Sequence, residues 1–406
     1  MENNQKTDSG VAAGNSANSP SHPPTNTLLH GLRRLVHDLE TRSNPELAGL
    51  TDVICGQTSL LQFTDTDVLY CGVDVTSLAT EPFEKTAWLL LHQSPPTDEQ
   101  IGDWAALIRD AGMLEESPRD LFAHLPAGLK PIDLFPLCLQ LLASFDAESP
   151  EQQPADSAHS LVCRLLGRLP LFFDAALNSS SAHPCPPDVG ELTWAGRLLY
   201  WIRGNQQLPS AAEESAINSL LVNTCLTEMR PACFVARLAG SSRCGLTAGL
   251  QSAAALFAGQ LRRDPYEWAA RLLYSLSGPE SADKWLQKRE RPGMPFGFAS
   301  TVADNRASLL RQAAQNLLGN LERIAISAAA TRLERRLATE NLAPTIDWMA
   351  VKLMVLLDIP PERQSLVIGI ARLIGWAAHA IEQQKSGVSL LPRLRYGENL
   401  RSAETE

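Results

Sequence analysis

Apolar residues recur three and four positions apart along most of this chain, the spacing of one face of an α-helix. Leu310, Ala314, Leu317, Leu318 and Leu321 follow that spacing and predict one long helix that runs on past Leu333. The longest apolar stretch, Leu366 to Ile381, is 16 residues and carries Arg372 and His379. It predicts a buried helix, because a membrane span needs about 20 apolar residues. Residues 232–259 are crowded with Ala, Gly and Ser. Small side chains let helix backbones approach closely, so this segment predicts a tight helix pair, a subunit interface or an interior helix. The period changes only near the N-terminus, where Val53–Cys55, Ser59–Phe63 and Val68–Cys71 are short β-prone runs and predict a small antiparallel hairpin. Polar stretches at 146–160 and 178–190 predict exposed loops, and no segment repeats with a fixed period. The expected fold class is therefore mainly α with one small N-terminal β-hairpin or sheet.

Composition narrows the function without naming it. Apolar residues make up 44% and charged residues 20%, which suits a globular chain whose 406 residues can build one large core or two domains. A net charge of −10 argues against nucleic acid or an anionic membrane as partner, since both attract basic surfaces. The first 26 residues are polar, rich in Ser, Asn and Pro, and predict a disordered tail at 1–26 with no secretory signal. The eight cysteines form no CxxC pair, and no histidine stands near one in a zinc-type spacing. They read as buried free thiols, with no metal site and the cytoplasm as the expected compartment.

Three segments then point to a family. Residues 49–100 carry the order x-x-Y-x-G-x-D-x-x-x-L followed by F-E-x-x-A-x-L-L-L, through Tyr70, Gly72, Asp74, Leu78, Phe83, Glu84, Ala87 and Leu89 to Leu91. Residues 368–383 read IGIARLIGWAAHAIEQ, and 391–397 read LPRLRYG. Together they resemble the citrate and 2-methylcitrate synthases in the same order along the chain. The resemblance implies a two-domain, nearly all-helical homodimer. Its large domain would comprise 27–260 and 353–406, and its small domain 261–352 would close over oxaloacetate and acetyl-CoA. No cofactor would be bound permanently; acetyl-CoA or another acyl-CoA would be the substrate or ligand.

That family's reaction needs a base for a weakly acidic methyl group, donors for the enolate and ketone oxygens, and arginines for carboxylates. The segment NLAPTIDWMAVKLMVLLDIP at 341–360 resembles the family motif that supplies the base and places Asp347 there. The other reading of Asp347 is a helix N-cap or first-turn residue. Arg372 aligns with an oxaloacetate-binding arginine, and a buried arginine needs an anion, either a substrate carboxylate or an internal acid. The family's histidines are replaced. In LLVNTCLTEMRPACFVARLAGSS two of them fall on Thr224 and Thr227, the motif's Asp on Leu226 and its Asn on Arg230, while Glu228 stays. The enolate-side histidine falls on Arg262, and the next histidine and arginine fall on Phe298 and Ala299, beside a retained Gly297 on the acyl-CoA side. The closing arginine falls on Leu391, with Arg393 and Arg395 close by. None of the eight histidines lies between His183 and His379, so no shift of register restores a central one.

Three functions are consistent with this pattern. The first is a catalytically impaired homologue, a binding or regulatory subunit that pairs with itself or with an active paralogue and holds CoA or a di- or tricarboxylate. Thr227, Arg372, Arg393 and Arg395 are its candidate substrate contacts. The second is an active enzyme with a remodelled pocket for another acyl-CoA or 2-keto acid, using Asp347 as base with Glu228 or Arg262. The third is a structural protein that keeps only the fold.

Overall fold

The computed structural model describes residues 50, 53–112, 129–145, 155–177, 191–204, 207–288, 296–300 and 304–393. The expected tail at 1–26, the loop at 178–190 and Arg395 lie outside the described residues. Residues 1–55 and 56–406 form two compact units, and every element named below belongs to the second.

That unit opens with a three-stranded antiparallel sheet of β1 (Leu61–Phe63), β2 (Val68–Tyr70) and β3 (Val73–Asp74), in which Leu61 faces Tyr70 and Tyr70 faces Val73. Helices follow almost without interruption: α1 (Val75–Leu78), α2 (Phe83–His92), α3 (Asp98–Ala111), α4 (Pro131–Phe145), α5 (Ala155–Leu177), α6 (Trp194–Arg203) and α7 (Ala211–Thr224). Then come α8 (Pro231–Ser241), α9 (Leu246–Gln260), α10 (Pro265–Ser275) and α11 (Pro279–Lys288). A two-stranded sheet of β4 (Phe298–Ala299) and β5 (Ala343–Pro344) brackets α12 (Arg306–Gln315) and α13 (Leu321–Ala338). The last described elements are α14 (Ile346–Leu356), a 3-10 turn at Pro361–Arg363 and α15 (Gln364–Ser386).

Local chemistry explains many of these boundaries. Thr97 with Gln100 and Ser210 with Glu213 form capping boxes that satisfy the first free amides of α3 and α7. Cys71 and Gly72 both have positive φ, 48° and 81°, the conformation of a tight two-residue turn between β2 and β3.

Three expectations need correction. Val53–Cys55 is not a strand; the sheet instead gains β3, whose Asp74 also caps α1. The long helix through Leu321 is two helices, because Gly319-Asn320 interrupts it. Gly costs about 1 kcal/mol in a helix interior, and the Asn320 side chain accepts from the Arg323 amide at 2.8 Å to start α13. Leu321 then lies 85% exposed. The loop expected over 146–160 ends earlier, since α5 begins at Ala155 and buries His159, whose ring nitrogen lies 3.1 Å from the Leu91 carbonyl. Of the seven described cysteines, all free, four are buried and Cys244 is exposed.

The core converges on α15. The apolar window of this helix is long enough to cross a membrane, but 94% of it is buried inside the protein. A Cβ at Gly375 would meet the Cys225 carbonyl oxygen at 2.3 Å, and one at Gly240 would meet the Ala380 carbonyl oxygen at 2.3 Å. These contacts draw α15 against the end of α7 and against α8. The small-residue segment 232–259 is thus the helix pair α8 and α9, with Gly249 in contact with Ala239 and Gly245 turning the chain between them at φ 83°.

Two buried arginines lock the same region. Arg237 donates to His379 Nδ1 at 3.1 Å and Gln383 Oε1 at 3.0 Å, and pairs with Glu382, which also accepts from the Ser59 amide at 2.8 Å. Arg306 is paired with Asp304 and donates to the Leu226 carbonyl at 2.9 Å and the Tyr70 hydroxyl at 3.2 Å.

Two outcomes follow. Gly375→Ala and Gly240→Ala should each cost about 1–3 kcal/mol by overpacking backbone, read as a lower urea midpoint. Gly102→Ala, in an exposed position of α3 with open space around it, should be stabilising by up to about 1 kcal/mol. Equal effects at all three sites would contradict the close approach. Burial and then the Arg237 cation push His379 down from 6.5 to about 4. The unfolded chain therefore takes up this proton first, so the contribution is present above pH 6.5 and is lost as pH falls toward 4. Glu382, held below its usual range, adds loss only below about 4.5. The urea midpoint should fall between pH 6.5 and 4.5 and fall less in His379→Gln; identical slopes would rule this out.

Candidate active site

Asp347 stands in the first turn of α14, after Thr345 at the N-cap. Its position is set by the short β4–β5 sheet. The Gly297 carbonyl accepts from the Thr345 amide at 2.7 Å and from its hydroxyl at 3.0 Å. Gly297 has φ 81°, and a Cβ there would meet the Trp348 Cβ at 2.7 Å, so only glycine fits. Gly297 thus seats the start of the helix that carries Asp347.

The side chain beside Asp347 is one that sequence reading missed. The Tyr266 hydroxyl donates to Asp347 Oδ1 at 2.6 Å. Asp264 caps α10 through the Tyr266 and Glu267 amides and Pro265 takes the first helical position, which aims Tyr266 inward. Burial, then the negative charge of Asp347, pushes the Tyr266 phenol above its usual range, so it stays a proton donor. The Asp-Pro pair signals a helix start in sequence, but nothing local signals a partner 81 positions away.

Arg372 completes the cluster from α15. Its Nη2 lies 3.7 Å from Asp347 Oδ1, and its guanidinium lies 5.2 Å from the Phe257 ring centre. The Arg372 side chain is only 16% exposed, and its Nε is buried without a hydrogen-bond partner. The internal anion that a buried arginine requires is therefore Asp347. Arg230 adds a second positive charge felt at Tyr266, and Phe296 packs on the Tyr266 ring at 4.9 Å. One carboxylate, one phenol and two guanidinium groups leave a net positive site suited to an anion.

The other candidates make contacts of their own. Thr224 donates back to the Leu220 carbonyl at 2.7 Å. Thr227 lies 3.5 Å from the Cys233 sulfur, and its carbonyl lies 3.4 Å from His379 Nε2. Glu228, Arg262 and Arg393 are exposed, and the Arg262 carbonyl accepts from Lys130 Nζ at 3.1 Å. Among the described residues, no group of three His, Cys, Asp or Glu side chains is arranged to hold a metal.

Comparison with known proteins agrees with this architecture. The family model described as citrate synthase, C-terminal domain, matches residues 49–393. The chain is 27% identical over 360 residues to citrate/2-methylcitrate synthase of Bacillus subtilis, covering 86% of this chain and 95% of that relative. It is 22% identical over 365 residues to 2-methylcitrate synthase of Shewanella oneidensis, covering 86% and 94%. Citrate synthase from Thermotoga maritima has the same fold, with a TM-score of 0.70 at 20% identity over 88% of this chain and 96% of that one. The Thermoplasma acidophilum citrate synthase, solved with carboxymethyl coenzyme A and oxaloacetate, has a TM-score of 0.72 at 18% identity over 86% and 95%. A family model spanning most of the chain, beside relatives matched nearly end to end, settles membership: this protein belongs to the citrate synthase family.

Proposed function

We propose that this chain keeps the anion-binding half of a citrate synthase pocket and is impaired in condensation, acting as a binding or regulatory homologue. The observation that carries this is the Tyr266 hydroxyl 2.6 Å from Asp347 Oδ1. One of the two carboxylate oxygens of the expected base is already engaged by a buried donor. The described histidines 92, 159 and 379 each lie within hydrogen-bond distance of a backbone carbonyl, at Trp88, Leu91 and Thr227, away from Asp347. In this reading the unpaired Arg372 Nε, with Arg230, receives a carboxylate of a di- or tricarboxylate. Acyl-CoA binds on the Gly297 side as the 261–352 domain closes, and no cofactor is held permanently. A dimer with itself or an active paralogue fits the family, and the free thiols among the described residues suit a reducing compartment such as the cytoplasm.

Purified protein should release CoA from acetyl-CoA and oxaloacetate at least about a thousandfold more slowly than a typical turnover of about 10 per second. Oxaloacetate or citrate should nevertheless raise its Tm, and Arg372→Gln should remove that gain. Ordinary turnover would overturn the impairment, and an unchanged Tm would leave a purely structural protein.

A second reading is favoured by the same pair. A permanently protonated phenol beside a carboxylate is a donor and a base in one place, the minimum for a remodelled acyl-CoA or 2-keto acid condensing enzyme. If a panel of such substrates yields CoA, Asp347→Asn should abolish it and Tyr266→Phe should slow it by about tenfold or more. A silent panel excludes this reading.

A further inference from the structure

A cavity with charged side chains in its lining opens further along α14 from Asp347, between that helix, α12 and α13. It measures about 340 Å³ and is lined by Arg311, Ser327, Thr331, Glu334, Arg335 and Lys352, among others. Lys352 is 3% exposed, and its Nζ lies 3.1 Å from Glu334 Oε1 and 3.4 Å from Thr331 Oγ1. An ammonium has three N–H donors, and these two contacts use two of them. Glu334 also accepts from the Trp348 indole at 2.9 Å, while Arg311 stays 3.9 Å away, beyond hydrogen-bond reach.

The charges do not balance. Neighbouring arginines on α13 are engaged elsewhere, since Arg332 and Arg336 share Asp283 at 2.8 and 3.7 Å. Arg335 points to the cavity instead, and no ion pair or hydrogen bond of its side chain is found among the described residues. Three cations therefore share one carboxylate on the cavity wall, a surplus of two positive charges. The volume is in the range of small-molecule sites and far above the ~30 Å³ of one water.

We infer that this cavity binds a small doubly charged oxyanion, a phosphate monoester or a dicarboxylate, separately from the Asp347 site. Lys352 supplies a desolvated donor at the base, Thr331 and Ser327 supply hydroxyls, and Arg311 and Arg335 close over the anion from the rim. Arginine forks match both oxyanion classes, so the ligand's source is left to the measurement.

Calorimetric titration of the full chain with inorganic phosphate, glucose 6-phosphate and succinate tests this. The expected result, read in the Arg372→Gln background so that the Asp347 site does not contribute, is one site per chain with a Kd of about 1 mM or tighter for at least one probe. Arg311→Gln and Arg335→Gln, both at exposed positions that the fold does not depend on, should each weaken it by about tenfold. Arg372→Gln should leave it unchanged. Preference for the phosphates or for succinate identifies the ligand class. The proposal fails if no probe binds, or if binding survives the two rim substitutions. It fails equally if binding is lost with Arg372→Gln, which would place the anion beside Asp347.

Discussion

The structure depends on the burial of one helix from all sides. α15 can occupy the centre only because Gly375 and Gly240 remove the Cβ atoms that would strike the Cys225 and Ala380 carbonyls. Close approach at two points along the helix fixes its rotation as well as its position. Trp376 then packs between Phe135 and Phe257, and Arg372 faces Asp347. Polar groups follow from the same placement. His379, Glu382 and Gln383 come within reach of Arg237, which offsets the cost of burying a guanidinium with three acceptors from one helix.

The site inherits its geometry from that helix and from the small sheet at its other side. Gly297 and Thr345 seat α14, α10 brings Tyr266, and α15 brings Arg372, so three separate elements meet at one carboxylate. Such a meeting is preorganised, because the Tyr266 hydroxyl and the Arg372 guanidinium are held by packing around Asp347. The same preorganisation hands Asp347 a hydrogen bond before any substrate arrives. Membership in the citrate synthase family and possession of its activity are therefore separate matters, since a fold can persist while the groups grafted on it change.

α14 also links two chemistries. Its first turn carries Asp347 and a later turn carries Lys352, each paired with an opposite charge from a different neighbour. A helix moves as a unit over such a short span, so events at Lys352 and at Asp347 act on one rigid body. The two sites differ in character. The first is a cluster of four side chains centred on one carboxylate, and the second is a cavity of about 340 Å³ with uncompensated charge.

Much of the fold was legible in the chain because helix formation is local. The 3.6-residue period, the Thr97 and Ser210 capping boxes, the apolar run of α15 and the glycine-rich approach of α8 all act between near neighbours. The break at Gly319-Asn320 was legible too, but the leucine spacing across it masked a capping signal. Asp347 and Arg372 stood out through family motifs, and the structure brings them within 3.7 Å of each other. Tyr266 did not stand out. Its bond to Asp347 spans 81 positions, and that of Arg306 to Tyr70 spans 236. Periodicity tells which face of a helix is apolar, not which element it will face. That choice belongs to the tertiary structure, where packing around α15 decides which distant side chains come within bonding distance.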